Sequence, residues 1–361
     1  MLFNNLITIK YIHQLLATTR FSVVIIAYKR KEFLIKAVNS VLNQRYPREM
    51  IEIIVVKSFK DAEIDSILLK EQIRCVYTEA KSIGKKFALG FELSTGEIVC
   101  LLEDDDEFNE LKMETIDRVH IENPEIDVFT NGYDIFSPDG KLIDINYFKK
   151  NREFQSNQSL LKINYQNYDP NLFDLLNLYF NNSRFSYTKK AIESLLPIFN
   201  LMEYGIDTII PSVWIKMNLT IAFIPGIKNK FMIRNYTHRL EKMLSANPEK
   251  GFKDAIERDG LIIADYESLI SYFSVLDSQF TNFLSLGSKW LEIRTDVMSK
   301  NKRKLFNDTS EYFKLLVIQK EKKYKQFLKK INSSFIIITC LFPFFFIYPK
   351  LARKIIIRVL G

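Results

Sequence analysis

The residues best suited to chemistry are a run of carboxylates, Glu103-Asp104-Asp105-Asp106-Glu107, directly after the apolar stretch Ile98-Val99-Cys100-Leu101-Leu102. So much negative charge at one point is costly through mutual repulsion. Oxygen ligands in this density suit a hard divalent cation, Mg²⁺ or Mn²⁺, which on such sites usually also holds substrate phosphates. Taken alone, the run fits an acidic, solvated turn equally well. A second carboxylate segment, Glu203-Tyr204-Gly205-Ile206-Asp207-Thr208, lies far along the chain. Asp207 there suits a helix cap.

These groups need a scaffold, and the chain is large enough to build one. It has 361 residues, 47% of them hydrophobic and 13% aromatic, which excludes a disordered chain. The net charge of +8 favours an anionic partner: a nucleic acid, an acidic membrane surface or a phosphorylated substrate. No basic-aromatic motif supports nucleic acid, and the charge concentrates near the C-terminus. Cys75, Cys100 and Cys340 show no metal-ligand spacing and read as buried thiols in a reducing compartment.

The run Ile98–Leu102 is continuously apolar, as in a strand buried on both faces. Similar strands are expected at Phe21–Ala27 and Ile51–Val56, with a short one at Arg74–Tyr77. Between them come helices, marked by Leu34, Val38, Val41 and Leu42, by Ile64, Ile67 and Leu68, and by Ser82–Ser94. This alternation predicts βαβ units and a twisted parallel sheet. In such sheets ligands sit beyond the carboxyl ends of the strands, where the acidic run lies. Further on, Leu111, Ile116 and Val119 suggest a helix. Asp127–Phe136 and Lys141–Ile145 suggest two strands around the turn Pro138-Asp139-Gly140. Lys149–Asp169 reads as a polar loop able to close over substrate. Asn181-Asn182-Ser183 precedes another strand and helix, and Thr220–Ile224 and Lys230–Arg234 read as two closing strands.

The order and spacing of Phe21-Ser22-Val23-Val24-Ile25-Ile26-Ala27-Tyr28-Lys29-Arg30, Ser40-Val41-Leu42-Asn43-Gln44, Glu52-Ile53-Ile54-Val55-Val56, Ser94-Thr95-Gly96-Glu97 and the acidic run resemble the family 2 nucleotide-sugar glycosyltransferases. The resemblance is strong over residues 21–110, weaker over 111–245 and absent after about 250. It implies an α/β GT-A fold: a Rossmann-like, mostly parallel sheet flanked by helices, here with a C-terminal helical extension. It implies a first loop, Ala27, Tyr28 and Arg30, that holds the nucleotide, with Tyr28 stacked on the base. The family's metal motif, aspartate-any-aspartate, falls on Glu103-Asp104-Asp105 or, one residue later, on Asp104-Asp105-Asp106; Asp105 belongs to both. The metal set implied is Glu103, Asp105, Asp106 and His238, with Asp104 on the nucleotide side and Mn²⁺ or Mg²⁺ as cofactor. Asp207 matches the catalytic base, with Glu203 in reserve. Two departures stand out. Lys57-Ser58 replaces the aspartate that accepts a hydrogen bond from the base, and a lysine ammonium only donates. Phe87 replaces an arginine, leaving Lys85 and Lys86 to face the diphosphate.

From about residue 246 the pattern becomes helical and charged, through Leu261, Ile262, Tyr266, Leu269, Tyr272 and Phe273 and then Trp290, Leu291 and Val297. Phe335–Tyr348 is almost wholly apolar but short for a span and broken by Pro343; Lys350, Arg353, Lys354 and Arg358 follow. That pattern suits an anchor lying in an anionic membrane surface. The expected organisation is an extension over 1–20, a catalytic domain over 21–245, a helical extension over 246–332 and a membrane-associating tail over 333–361. The expected protein is a metal-dependent inverting glycosyltransferase at the inner face of the cytoplasmic membrane. It would move a sugar from a nucleotide-sugar donor to a glycan, protein or lipid-linked acceptor, and self-association into a homo-oligomer is a further expectation. A polyprenyl-phosphate glycosyltransferase and a degenerate GT-A binding module remain the alternatives.

Overall fold

The computed structural model describes residues 19–28, 31–137, 140–142, 153–176, 178, 181–232, 249–274 and 276–299, with a few positions between 304 and 315. Arg30, His238, the first 18 residues and the tail 333–361 lie outside the described residues.

The chain divides into two compact units. The first is an α/β unit around an eight-stranded sheet. Its strands are β1 (Phe21–Ala27), β2 (Ile51–Lys57), β3 (Arg74–Tyr77), β4 (Ile98–Glu103), β5 (Val128–Phe136), β6 (Leu161–Ile163), β7 (Ser186–Thr188) and β8 (Ile221–Met232), in the order β3-β2-β1-β4-β7-β5-β8-β6. β1 pairs in parallel with β2 and β4, β2 with β3, and β5 with β8. β7 is antiparallel to both β4 and β5, and β6 to β8.

Every residue of β1 is buried, as is β4 up to Glu103, so both faces of the central sheet are covered. That explains the continuous apolar runs, since alternation is needed only where one face meets water. The crossover helices are α1 (Lys31–Leu42), α2 (Ala62–Lys70) and α3 (Ile83–Leu93). The side chain of Asp61 caps α2 by accepting from Ile64 N, and Ser82 caps α3 by accepting from Lys85 N. α3 packs close to the sheet because Gly90 has no side chain; a Cβ there would lie 2.2 Å from Val24 Cγ1. α4 (Lys112–Glu122) follows the acidic run, and α5 (Pro170–Leu176), α6 (Lys189–Leu201) and α7 (Ile206–Lys216) follow β6 and β7. Aromatic rings fill the space between α3, β7 and α6: Phe91, Tyr187 and Phe87 each meet Phe199 edge to face.

The second unit comprises 168–172, 201–205 and 233–361. Its described part is dominated by α8 (Glu249–Phe273) and α9 (Ser278–Ser299). Arg294 grips the fully buried Asp259 with two nitrogens, Nε at 2.7 Å from Oδ2. None of the described helices is long and apolar enough to cross a membrane.

Several expectations need correction. The segment expected as a polar loop, 149–169, contains β6, which adds an edge to the sheet. The two closing strands are one, β8, whose register against β5 slips between Ile224 and Lys228, at Pro225-Gly226. Of the strand expected at 141–145, the described residues show one bridge, Phe136 to Leu142. Cys75 is exposed, because β3 is the outermost strand, whereas Cys100 is buried as expected.

Candidate active site

The acidic run leaves β4 at the carboxyl edge of the parallel half of the sheet, and its side chains alternate. Asp104 and Asp106 turn inward, while Glu103, Asp105 and Glu107 remain partly exposed. Asp104 Oδ2 accepts the Tyr28 N–H at 2.9 Å, and the Asp104 N–H donates to Ile26 O at 3.1 Å. This carboxylate therefore ties the end of β1 to the end of β4. Asp106 accepts three bonds: from Asn181 Nδ2 at 2.9 Å, Ser183 Oγ at 2.5 Å and Met232 N at 3.2 Å. Burial, then the neighbouring Asp105 charge, pushes its carboxyl up to about 7. Glu107 pairs with Lys230 at 2.9 Å.

Glu103 Oε1 accepts from Asn182 Nδ2 at 2.8 Å. Its other carboxylate oxygen has no hydrogen-bond donor among the described residues. Burial first, then the charges of Asp106, Asp105 and Asp207, holds its carboxyl well above the usual range. That last contribution brings in α7. Asp207 stands in the first turn of α7, where the helix dipole favours a negative charge. Its Oδ2 accepts the Asn181 N–H at 3.1 Å, from a segment distant in sequence.

The turn Asn181-Asn182-Ser183 thus gathers the site. Asn181 bonds Asp106 and Asp207, Asn182 bonds Glu103, and Ser183 bonds Asp106 and accepts the Glu103 N–H at 3.0 Å. Two buried cations brace this turn from within the fold. Lys112 Nζ donates to Ser183 O at 2.9 Å, and burial pushes its ammonium down to about 8. Arg184 Nε donates to Asn131 O at 2.6 Å, and burial lowers its guanidinium to about 10. Sequence reading placed Asn181–Ser183 only as a lead-in to β7, and passed over Lys112 and Arg184. Short polar residues give no periodic signal, and a buried lysine looks like a surface one until its neighbours are known.

The other expected residues sort as follows. Tyr28 is 47% exposed at the strand edge, and the buried Lys86 lies beneath it, with Nζ 4.7 Å from the ring centre. Lys85 is exposed one position earlier. Ala27 is buried in the core, so its methyl group lines no open pocket. Lys57 is buried too; Nζ pairs with Asp65 at 2.7 Å and donates to Phe59 O at 2.7 Å, so internal contacts occupy the ammonium expected to meet the nucleotide. Phe87, in the place of an arginine, belongs to the aromatic core. Glu203 lies in the second unit, where its N–H donates to Asp265.

Among the described residues, no three His, Cys, Asp or Glu side chains are grouped so as to hold a metal ion by themselves. The donor chemistry nevertheless fits a hard cation. Glu103 and Asp105 are partly exposed carboxylates, and the donor that meets the Glu103 side chain, Asn182 Nδ2, is neutral. One or two carboxylates completed by substrate phosphates and water is a common Mg²⁺ arrangement.

Residues 22–176 match the family model for glycosyl transferase family 2. No curated protein matches the chain in sequence. Among solved structures, S. aureus TarS is similar at 14% identity and a TM-score of 0.52, over 85% of this chain and 50% of TarS. TarS 1–349 in complex with UDP-GlcNAc is similar at 14% identity and a TM-score of 0.50, over 87% of this chain and 92% of that one. The chain therefore spans half the length of the longer TarS structure, and likeness at this identity concerns the fold. Residues 22–176 are thus similar to glycosyl transferase family 2, and the mostly parallel sheet between helices has the GT-A architecture.

Proposed function

We propose that the chain is a cation-assisted, inverting glycosyltransferase that uses a nucleotide-diphosphate sugar. The observation that carries this reading is the convergence of Glu103 and Asp207 around one turn, Asn181–Ser183, with Asp105 near enough to act on the Glu103 carboxyl. A divalent cation held by Glu103 and Asp105 would offset charge on the departing diphosphate. Tyr28 stacks on the nucleotide base, with Lys86 beneath it and Lys85 beside the phosphates. Asp207 accepts the proton of the acceptor hydroxyl as that oxygen attacks the anomeric carbon. The TarS complex with UDP-GlcNAc supports a uridine donor. The burial of Lys57 removes its ammonium as an obstacle to that base. The acceptor is a glycan, protein or lipid-linked hydroxyl, reached from a membrane surface through the tail.

The test is calorimetry of UDP with Mn²⁺, on the native chain and on Asp105→Ala, beside a transfer and hydrolysis screen of UDP- and GDP-sugars. Cation-dependent UDP binding should be present in the native chain and lost in the variant, with the fold retained because Asp105 is partly exposed. Equal affinity in the two proteins would remove the cation site from this reading.

A further inference from the structure

We infer that Asn181 is the positioning residue that holds the acidic run and Asp207 in one working geometry; this rests on the reading of Asp207 as the base. Three observations meet in this residue. Its backbone N–H donates to Asp207 Oδ2 at 3.1 Å, its side-chain Nδ2 donates to Asp106 Oδ2 at 2.9 Å, and its Oδ1 accepts the Ser183 N–H at 2.7 Å. It is only 6% exposed. Its backbone lies at φ 67° and ψ 112°, a region that residues with side chains rarely occupy. Strain of this kind persists only where the surroundings over-determine it, and it gathers at working sites. Here it lets a single residue direct its main chain toward α7 and its side chain toward the acidic loop. Asparagine suits both tasks. It tolerates positive φ better than most residues, and its neutral side-chain amide holds Asp106 while its backbone N–H holds Asp207, neutralising neither.

A mere tie between loops would also be buried and bonded. What separates the two roles is whether the loss of Asn181 is felt through Asp207. Asn181→Gly keeps the backbone donor and the positive φ but removes the amide. Asn181→Ala removes the amide and also disfavours the backbone geometry. With Mn²⁺ and UDP-GlcNAc in excess over enzyme, followed as steady-state UDP release, kcat should fall in the order native, Gly, Ala. The alanine variant should lose roughly 10–100-fold, the scale of a small misplacement of a reacting group. Among the described residues Asn181 bonds Asp106, Asp207 and Ser183 and not Tyr28, Lys85 or Lys86, so the loss should appear in kcat more than in donor KM. In an Asp207→Asn background the alanine substitution should cost clearly less than in the native chain, because one of the two groups it positions is already inactive.

A native rate for Asn181→Ala beside an impaired Asp207→Asn would overturn the inference while leaving the base intact. A penalty of the same size in both backgrounds would reduce Asn181 to a tie. A native rate for Asp207→Asn would instead sink the base reading, and the inference with it. Amide hydrogen exchange gives a readout independent of the donor. Asn181→Ala should speed exchange in both Leu101–Phe108 and Ile206–Ser212, and Asn181→Gly chiefly in the first. Unchanged protection of both segments in the alanine variant would also overturn the inference.

Discussion

At the residue scale, the acidic run shows how neighbouring carboxylates acquire different tasks. Asp104 and Asp106 are spent on structure: one fixes the Tyr28 main chain, the other takes three donors from two segments. Glu103 and Asp105 remain partly exposed, and we propose them for the cation. The choice between the two registers of the aspartate motif is thereby narrowed by orientation: only Glu103-Asp104-Asp105 puts both its end residues on the open side. The same logic bears on Asp207, whose Oδ2 accepts the Asn181 N–H, whose Oδ1 lies 3.4 Å from the Thr208 hydroxyl, and which stands at a helix N-terminus. Asp207→Asn keeps the size of the side chain but cannot accept a proton at neutral pH. Sugar transfer should fall by roughly 10²–10⁴, with donor affinity little changed. Donor hydrolysis by water should fall less, since the acceptor hydroxyl is what loses its partner. A transfer rate within a few-fold of native would return Asp207 to the role of a structural residue in α7 and favour an acceptor that is already ionised, such as a lipid phosphate.

At the scale of elements, the site depends on how closely β4 and α3 approach β1. Gly96 begins the turn into β4; its N–H donates to Ser22 Oγ at 2.8 Å, while Ser22 Oγ donates to Glu52 Oε2 at 2.5 Å. A Cβ on Gly96 would lie 2.5 Å from the Ser22 backbone nitrogen, which cannot swing aside as a side chain can. Gly96→Ala should therefore cost roughly 1–3 kcal/mol of stability, the usual cost of overpacking. Chemical denaturation measures this directly. An unchanged midpoint and slope would mean that the strand entrance relaxes freely. The slip in β8 at Pro225-Gly226 has a positional consequence as well: beyond it, Lys230 meets Glu107 and Met232 N meets Asp106, so the far strand reaches the acidic loop.

At the scale of the whole molecule, the α/β unit holds the gathered carboxylates, and the second unit adds two long helices. The basic tail is proposed as the membrane contact. Removing residues 333–361 should leave α8, α9 and the sheet in place and should abolish sedimentation with anionic vesicles. Retained binding to those vesicles would move the contact to another surface. Raised salt should weaken binding of the native chain, because basic side chains beside an anionic surface act through screened charge.

By itself, the amino-acid sequence determined the parallel half of the fold. Strands covered on both faces must be apolar throughout, so β1, β2 and β4 stand out from the helices between them, and the carboxylates after Leu102 mark the edge where a ligand binds. The helix start at Ser82 was equally legible, since capping is a local interaction. Tertiary structure alone decided the rest. Whether Asp104 or Asp105 faces outward depends on donors from Tyr28, Asn181, Ser183 and Met232, which are far away in sequence. Lys57 reads as a loop cation until α2 brings Asp65 to it, and β6 is too short to show a period until β8 offers it an edge. Asn181 carries no signal in its type. Its role comes from a positive φ and two carboxylates that only the folded chain brings within reach of one residue.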